Sequence, residues 1–303
     1  MHKSKSKRYL CLDIGGTSIK YAVSDEDGTF LDSGKIPIEK SAEGFLGQVQ
    51  ALYHSFSPID GIACSFPGEV YSEEGVIHGI SAVEYLHNIP IKKEISDRCD
   101  HCEVTMLNDA NAAALGELWK GVGRTYKNIA FVIVGSGVGG AVIENGTLYP
   151  GTTKNKAEIG NFLMGGTRDG ELMTWSSFTL EKEARRYSAD FGVQVNGKEL
   201  LQMARDGDAE AGTYVEEFFH YMAVGCLSVQ FAYDPEIIAI GGGISEDENM
   251  AEEIMSHYRK MVEGQRMSYL YPKIVRCEHG NRANLLGALY YFLTEKEGQQ
   301  PEE

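Results

Sequence analysis

Residues 9–24 read YLCLDIGGTSIKYAVS. This stretch gives the first indication of the fold. Strands are predicted over 9–14 and 19–24, because both are short runs rich in apolar and β-branched residues. The turn between them contains Gly15 and Gly16. Glycine lets backbone N–H groups come close to phosphate oxygens without a Cβ in the way. The opening therefore predicts a β-hairpin whose tight turn admits a phosphate.

The same pattern returns later in the chain. Residues 129–134 (IAFVIV) predict another buried strand, a glycine turn from Gly135 to Gly140 follows, and residues 141–143 (AVI) resume a strand. In both copies an Asx-Gly pair then signals a hairpin turn, at Asp27-Gly28 and at Asn145-Gly146. The spacing of the copies far exceeds the repeat lengths of solenoid proteins. We therefore expect two related domains, each opening with a β-hairpin whose turn faces a cleft.

Predicted strands and helices alternate along the remaining chain, which is typical of α/β proteins. Further strands are predicted near 29–36 and over 60–66, 103–108, 236–240 and 274–277. Helices are predicted over 42–56, 91–99, 110–119, 178–191, 198–206, 209–233, 249–262 and 282–295. The long helix is expected to be apolar on one side, which carries Phe218, Phe219, Met222, Leu227 and Phe231.

Length and charge exclude several classes of protein. The chain has 303 residues, which suits two domains of ordinary size. Its formal net charge of −16 opposes binding to the phosphate backbone of nucleic acids. The short basic stretch at residues 3–8 is interpreted as a solvated tail rather than a nucleic-acid-binding arm. With no apolar run of membrane-spanning length and no signal-peptide pattern, we expect a cytoplasmic protein without nucleic-acid or membrane partners.

The six cysteines are scattered through the chain, unlike the disulfide framework of a small secreted protein. Cys99, His101 and Cys102 form one small cluster. A single C-x-x-C without a second pair is a weak signal for zinc. We favour a structural interpretation of this cluster.

The glycine clusters do not fit two common nucleotide motifs. Gly135, Gly137 and Gly140 have the G-x-G-x-x-G spacing of dinucleotide folds, but that motif opens a helix and here a strand is predicted. No G-x-x-x-x-G-K-[ST] run occurs. A nicotinamide dehydrogenase is therefore a minor alternative. A third cluster, Gly241 to Gly243, also follows a predicted strand.

Acidic residues at predicted strand ends suggest phosphoryl transfer, which needs a metal ion and a carboxylate that receives a hydroxyl proton. Asp13 is suited to Mg²⁺ or its water shell, although it could instead cap the turn or be an aspartyl-phosphate nucleophile. Lys20 could neutralise phosphate or be a surface residue. Asp109 could be only a helix N-cap. Because strand ends in open α/β sheets face the ligand crevice, we favour a catalytic role for Asp109.

Five motifs, in order along the chain, resemble those of the ROK family (repressors, open reading frames and kinases). The resemblance runs nearly end to end and includes the closing Gly287-Ala288-Leu289-Tyr290 segment. It implies the two-domain, actin-like ATPase (ribonuclease H-like) fold, with ATP and a sugar in an active-site cleft between the domains. The motifs are Leu12-Asp13-Ile14-Gly15-Gly16-Thr17 with Lys20, Phe66-Pro67-Gly68, Asn108-Asp109-Ala110-Asn111, Gly135-Ser136-Gly137-Val138-Gly139-Gly140 and Ile240-Gly241-Gly242-Gly243-Ile244.

The resemblance also implies boundaries and roles. It divides the chain into a small domain, 1–118, completed by a C-terminal helix over 282–297, and a larger domain, 119–281. It implies a homodimer, Asp109 as general base, and Mg²⁺ held indirectly by Asp13. The residues implied for ATP are Asp13, Gly15, Gly16, Thr17, Lys20, Gly135, Ser136, Gly137, Gly242 and Gly243. Those implied for the sugar are Pro67, Gly68, Asn108, Asp109, Glu158 and Asn161.

The sequence departs from the family pattern in two ways. Zinc-binding members carry a histidine where this chain has Asn161, and cysteines where it has Met164, Gly166 and Glu171. We therefore predict no structural zinc. The repressor branch carries an N-terminal helix-turn-helix, for which no room precedes the first strand, so a DNA-binding repressor is not expected.

Two local runs resemble those of a zinc-free subgroup that includes β-glucoside kinases, which phosphorylate O6 of the non-reducing glucose of a disaccharide. The runs are Glu158-Ile159-Gly160-Asn161-Phe162 and Gly287-Ala288-Leu289-Tyr290-Tyr291-Phe292-Leu293. The expected activity is therefore ATP-dependent phosphorylation of a sugar hydroxyl, on O6 of glucose or of a β-glucoside. Two alternatives stay open. One is a catalytically weak sugar sensor on the same fold, and the other is glucokinase or N-acetylhexosamine kinase specificity.

Overall fold

The computed structural model describes residues 6–79, 81–149, 158–168, 171–266 and 271–298. The strands are β1 (Tyr9–Ile14), β2 (Ser18–Ser24), β3 (Phe30–Pro37), β4 (Gly61–Phe66), β5 (Glu69–Tyr71), β6 (Val76–His78), β7 (Val104–Asn108), β8 (Ile129–Val134), β9 (Val138–Glu144), β10 (Thr147–Leu148), β11 (Leu163–Arg168), β12 (Glu171–Thr174), β13 (Ile237–Gly242) and β14 (Ile274–Arg276). The helices are α1 (Ala42–Phe56), α2 (Ile91–Arg98), α3 (Asp109–Lys120), α4 (Leu180–Phe191), α5 (Gly197–Arg205), α6 (Ala209–Tyr233), α7 (Met250–Val262) and α8 (Ala283–Gly298).

The chain forms two compact units. Unit 1 contains Met1–Arg124 and Arg282–Glu303, and unit 2 contains Thr125–Asn281. Unit 1 is built on a five-stranded sheet in the order β3-β2-β1-β4-β7. Strand β1 pairs antiparallel with β2 and parallel with β4, and β4 pairs parallel with β7. Every residue of β1 is buried, so this strand is covered on both faces.

The two faces of the unit 1 sheet carry alternate residues of each strand, because successive side chains of a strand point to opposite faces. On one face Leu10 and Leu12 join a core with the buried side of α1. On the other face Tyr9 and Cys11 join a core with apolar residues of α8. Phe292 fills this second core so closely that a Cβ on Gly61 would lie 2.2 Å from its ring. The C-terminal helix is therefore a layer of the N-terminal unit.

Helices α3 and α8 approach each other at backbone distance. A Cβ on Gly287 would lie 1.7 Å from the carbonyl oxygen of Ala112, and one on Gly116 would lie 2.1 Å from that of Ala283. Real Cβ atoms do not come so close to backbone atoms. Glycine at these two positions therefore allows the close crossing, which brings the N-terminal turn of α8 beside α3.

Unit 2 repeats the central arrangement of unit 1. Its sheet has the order β10-β9-β8-β13-β14. Strand β8 pairs antiparallel with β9 and parallel with β13, as β1 pairs with β2 and β4. Helices α4 to α7 cover the sheet, and the core includes Trp175, Phe218 and Tyr258. The repeat of strand, glycine turn and strand in the sequence thus corresponds to the same strand pairing in both units.

Two expectations about local structure were wrong. The glycine turn after β8 ends at Gly137, because Gly139 and Gly140 lie in β9 and pair with Ile133 and Val132. The long helix α6 does not bury Phe231, whose side chain is 59% exposed. The prediction that no helix follows the glycine turn is confirmed, since β9 follows it. Of the helices in the part of the chain that the structure describes, none is long and apolar enough to cross a membrane.

Candidate active site

Asp13 lies near the end of β1, the central strand of unit 1, and the residue is 8% exposed. Strand register brings its partners to it: Asp13 is opposite Lys20 on β2 and Ser65 on β4. The ammonium Nζ of Lys20 donates to Oδ2 at 3.2 Å, and the hydroxyl of the buried Ser65 donates to Oδ1 at 3.4 Å. Lys20, which the sequence left between a phosphate ligand and a surface residue, is thus the ion-pair partner of Asp13.

The direction in which Asp13 points follows from the alternation of side chains along its strand. Asp13 shares its face with Tyr9 and Cys11, the face that α8 covers. Ser65 shares this face with Ala63 on the neighbouring strand. The two polar side chains therefore continue, at the strand ends, the apolar layer under α8.

Burial shifts the ionisation of Asp13. Desolvation raises the pKa of its carboxyl above the ordinary value, while the charge of Lys20 and hydrogen bonds from Lys20 and Ser65 oppose the shift. Burial therefore has the larger effect on this pKa, and the polar partners reduce it. One such carboxylate beside the first glycine turn fits Mg²⁺, which binds through one or two carboxylates together with substrate phosphates.

Asp109 is the first residue of α3, directly after β7. The interpretation of this residue as the N-cap is wrong, because the cap is Asn108, whose Oδ1 accepts a hydrogen bond from Asn111 N at 3.1 Å. Oδ1 of Asp109 accepts two hydrogen bonds, from Ala110 N at 2.8 Å and from Asn108 Nδ2 at 3.1 Å. The carboxylate is held at the N-terminus of a helix, where the helix dipole stabilises negative charge.

The loop Pro67-Gly68 lies next to this helix start. Asn108 Nδ2 also donates to the carbonyl of Gly68 at 2.9 Å. Gly68 has φ +95°, and a Cβ there would lie 2.7 Å from Cβ of Ser81. The structure therefore brings together three of the predicted sugar residues of unit 1, and the amide of Asn108 links this loop to Asp109.

The first glycine turn connects β1 to β2. Gly15 N donates to the carbonyl of Ser18 at 2.9 Å, and the exposed Thr17 accepts a hydrogen bond from Ile38 N at 3.2 Å. A Cβ on Gly16 would lie 2.8 Å from Cβ of Ala82. Ala82 thus leaves no room for a side chain at position 16. Packing within the protein favours glycine there, in addition to the expected close approach of a phosphate.

The second glycine turn, in unit 2, has a different environment. Gly135 N donates to the carbonyl of Gly137 at 2.9 Å, and Gly135 and Ser136 are exposed. A Cβ on Gly135 would meet no atom within 4 Å, and one on Gly137 would meet Ser176 only at 3.6 Å. Neither residue has a positive φ. The fold of unit 2 therefore does not require glycine at these two positions, which suits a turn that a ligand approaches closely.

A cleft of about 560 Å³ within unit 2 begins at this turn. Gly135 after β8 and Gly243 after β13 both line it. They lie side by side because Gly242 pairs with Val134 in the parallel register of the two strands. Gly242 has φ +79°, and its carbonyl accepts a hydrogen bond from Ser245 Oγ at 2.7 Å. The other walls combine apolar and charged side chains: Leu180, Glu181, Leu201, Arg205, Ile244 and Met250.

Glu158 and Asn161 frame a short 3₁₀ turn in unit 2, and both are exposed. Asn161 N donates to the carbonyl of Glu158 at 3.0 Å. Gly160, inside this turn, is so close to β9 that a Cβ would lie 1.9 Å from the carbonyl oxygen of Val138. The turn with the predicted sugar residues is therefore fixed to the strand that follows the second glycine turn.

Sequence reasoning missed two residues of the site, Ser65 and Asn284. Asn284 is in the first turn of α8, and its Nδ2 donates to the carbonyl of Asp109 at 3.2 Å. The signal for both was present but weak. Ser65 is a hydroxyl in the buried run GIACSF, and Asn284 directly precedes the apolar run LLGALYYF. Polar residues in buried segments need partners: Ser65 donates to the Asp13 carboxylate, and Asn284 donates to Ser65 and to the carbonyl of Asp109.

The positions that bind zinc in other members of the resembled family lie around the β11–β12 ribbon. Met164 and Gly166 are on β11, and Glu171 begins β12. Within the described residues, no group of three or more His, Cys, Asp or Glu side chains is arranged to hold a metal ion. The absence of structural zinc stays a prediction.

Comparisons with known proteins agree with these features. The family model described as "ROK family" matches residues 9–295. Beta-glucoside kinase of Listeria monocytogenes is 29% identical over 302 residues, which cover 95% of this chain and 98% of that protein. N-acetyl-D-glucosamine kinase of Haemophilus influenzae is 25% identical over 309 residues, which cover 95% of this chain and 100% of that protein.

A solved structure resembles the whole chain. The crystal structure of a ROK family protein from Streptococcus pneumoniae in complex with sucrose has a TM-score of 0.88 and 31% sequence identity. The match covers 96% of this chain and 99% of that one. The fold prediction is thereby confirmed, because this chain shares the actin-like ATPase fold of these proteins.

Proposed function

The chain belongs to the ROK family, and from this premise we propose that it is an ATP-dependent sugar kinase in which Asp109 is the general base. The carboxylate of Asp109 receives the proton of a sugar hydroxyl as the hydroxyl oxygen attacks the γ-phosphorus of ATP. The bond from that phosphorus to the β-γ bridging oxygen breaks, and ADP leaves. In such a transfer the protein itself forms few covalent bonds. It accelerates the reaction mainly by positioning the reactants and neutralising the charge of the phosphates.

The observation that carries the proposal is the way Asp109 is held. Two hydrogen bonds, from Ala110 N and Asn108 Nδ2, hold Oδ1 of its carboxylate. A base must be within hydrogen-bond reach of the proton it abstracts, so a fixed carboxylate favours transfer. Asn108 and Gly68, which adjoin it, supply neutral polar groups of the kind that bind sugar hydroxyls.

Asp13 is the residue that would hold Mg²⁺, directly or through water. When bound, the ion neutralises charge on the phosphates of ATP. The fit rests on the position of Asp13, a mostly buried carboxylate beside the first glycine turn. In unit 2, the cleft that begins at Gly135 and Gly243 is assigned to the nucleoside, because its apolar walls suit a base. The exposed turn Gly135 to Gly137 is assigned to the phosphates.

A coupled assay for ADP release tests the activity. It uses ATP, Mg²⁺ and, one at a time, glucose, mannose, N-acetylglucosamine, N-acetylmannosamine, cellobiose and gentiobiose. Activity on one of these sugars is expected. If ATP stabilises the protein against heat but no sugar is phosphorylated, the sugar-sensor alternative replaces the kinase. If NAD stabilises the protein and ATP does not, the dehydrogenase alternative replaces both.

The proposed acceptor is O6 of a β-glucoside disaccharide. The support is the L. monocytogenes relative named beta-glucoside kinase and the residue at position 161. Asparagine there is smaller than the histidine of zinc-binding family members, and it is exposed. The proposal is that this leaves space for a second sugar ring.

The kcat/KM values for cellobiose, gentiobiose and glucose decide between the acceptors. We expect the disaccharides to be preferred, and Asn161→His to lower that preference. Asn145→His, on another exposed turn of unit 2, is the matched control and should leave the ratio unchanged. Clear preference of the wild-type protein for glucose would make the chain a glucokinase.

A further inference from the structure

Asn284 is a polar side chain at the start of a helix that otherwise packs through apolar residues. Leu285, Leu289 and Phe292 of α8 lie in the core against the unit 1 sheet. A polar side chain beside such a core is costly unless it is hydrogen-bonded. Asn284 meets that requirement through contacts to other elements of unit 1.

The amide group of Asn284 contacts two acceptors. Its Nδ2 is 3.2 Å from the carbonyl oxygen of Asp109 and 3.5 Å from Oγ of Ser65. The hydroxyl of Ser65 in turn donates to Oδ1 of Asp13 at 3.4 Å. The amide therefore joins α3 to β4 directly and reaches the carboxylate on β1 through Ser65. An asparagine amide carries two N–H donors, and the two acceptors account for both.

The backbones of α3 and α8 lie close together beside Asn284. The crossing of α3 and α8 has no side chain at Gly116 or at Gly287, and the main chains approach at those points. Ala283, which precedes Asn284, supplies the carbonyl that a Cβ on Gly116 would meet. The first turn of α8 is therefore held against α3, and a short side chain is enough to reach the main chain of Asp109.

We propose that Asn284 is a positioning residue for phosphoryl transfer: through the hydroxyl of Ser65, its amide fixes the Asp13 carboxylate relative to the start of the helix that carries Asp109. The inference rests on the proposed function. Asn284 acts through these two residues and is given no contact with substrate. Its effect is large because misplacing a reacting group by about 1 Å costs about 100-fold in rate.

The experiment compares variants that keep or remove the donors. Asn284→Leu has a similar volume without donors, Asn284→Ala removes the side chain, and Asn284→Ser keeps one hydroxyl donor. We expect kcat of the Leu and Ala variants to fall about 100-fold. KM for sugar and for ATP should stay within about threefold of the wild-type values, because binding groups are unchanged. The Ser variant should recover part of kcat.

A matched control lies on the same helix. Thr294 is also half-buried on α8, and its hydroxyl donates to the carbonyl of Tyr290 within the helix at 2.9 Å. Thr294→Ala should leave kcat unchanged. Calorimetric titration with the sugar, without nucleotide, should give the same dissociation constant for the wild-type protein and the Asn284 variants.

A second measurement does not depend on activity. In a double-mutant cycle of urea unfolding, Asn284→Ala and Asp13→Asn should be non-additive if the amide and the carboxylate are coupled through Ser65. Additive effects, or wild-type kcat in the Ala and Leu variants, overturn the inference and leave the kinase proposal standing. A lower melting temperature with unchanged kcat also overturns it, since the role is then structural. If Asn284→Leu does not fold, the Ala and Ser variants decide. A wild-type protein inactive on every sugar overturns both proposals.

Discussion

At the scale of single residues, the chemistry depends on how a few carboxylates are held. Asp109 does not supply the helix cap, since Asn108 performs that task. Its carboxylate is instead oriented by Ala110 N and by the amide of Asn108. Because the Asp109 carboxylate is oriented but does not cap the helix, it remains suited to accept a proton from a substrate hydroxyl.

The first prediction concerns this base. Asp109→Asn keeps the shape of the side chain and removes its basicity, so kcat should fall by about 10²–10⁴-fold. Sugar binding, measured by calorimetry, should persist. Asp97→Asn, an exposed change on α2 of the same unit, is the control and should be neutral. Intact turnover with lost sugar binding would contradict the assigned role.

The residue scale also shows what the sequence could and could not predict. The strand-end position of Asp13 and Asp109 could be predicted, because each follows a short apolar run and precedes turn or helix residues. The partners Ser65 and Asn284 were not, because they are distant along the chain and only strand register and the packing of α8 bring them together.

At the scale of elements, the two glycine turns differ although their sequences look alike. A Cβ on Gly16 would collide with Ala82, whereas one on Gly135 would meet no atom within 4 Å and one on Gly137 would make only an ordinary contact with Ser176. Sequence could not separate the turn glycines from Gly139 and Gly140, which lie in β9, because the distinction depends on pairing with β8. The bounds of the long helices were easier to predict. Helices α1 and α6 have the bounds that their apolar periodicity predicts.

A second prediction tests the turn after β8. Gly135→Ala should fold normally, because the added methyl group meets no protein atom within 4 Å. If phosphates approach this backbone, KM for ATP should rise by about tenfold or more, as a Cβ there blocks close contact. Gly212→Ala, in the open on α6, is the control. It should raise stability by about 0.5–1 kcal/mol and leave KM for ATP unchanged. An unchanged KM in Gly135→Ala would remove the turn from the nucleotide site.

A third prediction tests the crossing of α3 and α8. Gly287→Ala places a methyl group 1.7 Å from the Ala112 carbonyl oxygen, so the helices must separate. The free energy of unfolding in urea should fall by about 1–3 kcal/mol or more. Gly47→Ala, on α1 of the same unit, meets no atom within 4 Å and should be neutral or stabilising. Equal stability of the two variants would show that the crossing tolerates a side chain.

At the scale of the whole molecule, the chain contains two units with one strand pattern, and this duplication was visible as a repeated hairpin signal. The fold class was therefore predictable from sequence. Homodimer formation was implied only by resemblance and stays a prediction, because no signal in one chain identifies an interface.

The fourth prediction concerns metal content. The purified protein should contain no stoichiometric zinc by elemental analysis, because Met164 and Gly166 offer no thiolate ligands on β11. Treatment with a zinc chelator should leave the melting temperature unchanged, whereas removal of Mg²⁺ should stop turnover. One zinc ion per chain would show that other residues replace the missing ligands.

Unit 1 is discontinuous along the chain, because the 157 residues of Thr125–Asn281 separate its N-terminal segment from the segment that contains α8. During translation, all of unit 2 is synthesised before α8, so the face of β1 that carries Tyr9 and Cys11 has no cover until then. Domains fold as units during synthesis, and exposed apolar surface promotes aggregation. Unit 2 is thus able to fold while the ribosome is still working, whereas unit 1 waits for its last helix. A nascent chain stalled before Ala283 is consequently the form of this protein that most needs a chaperone.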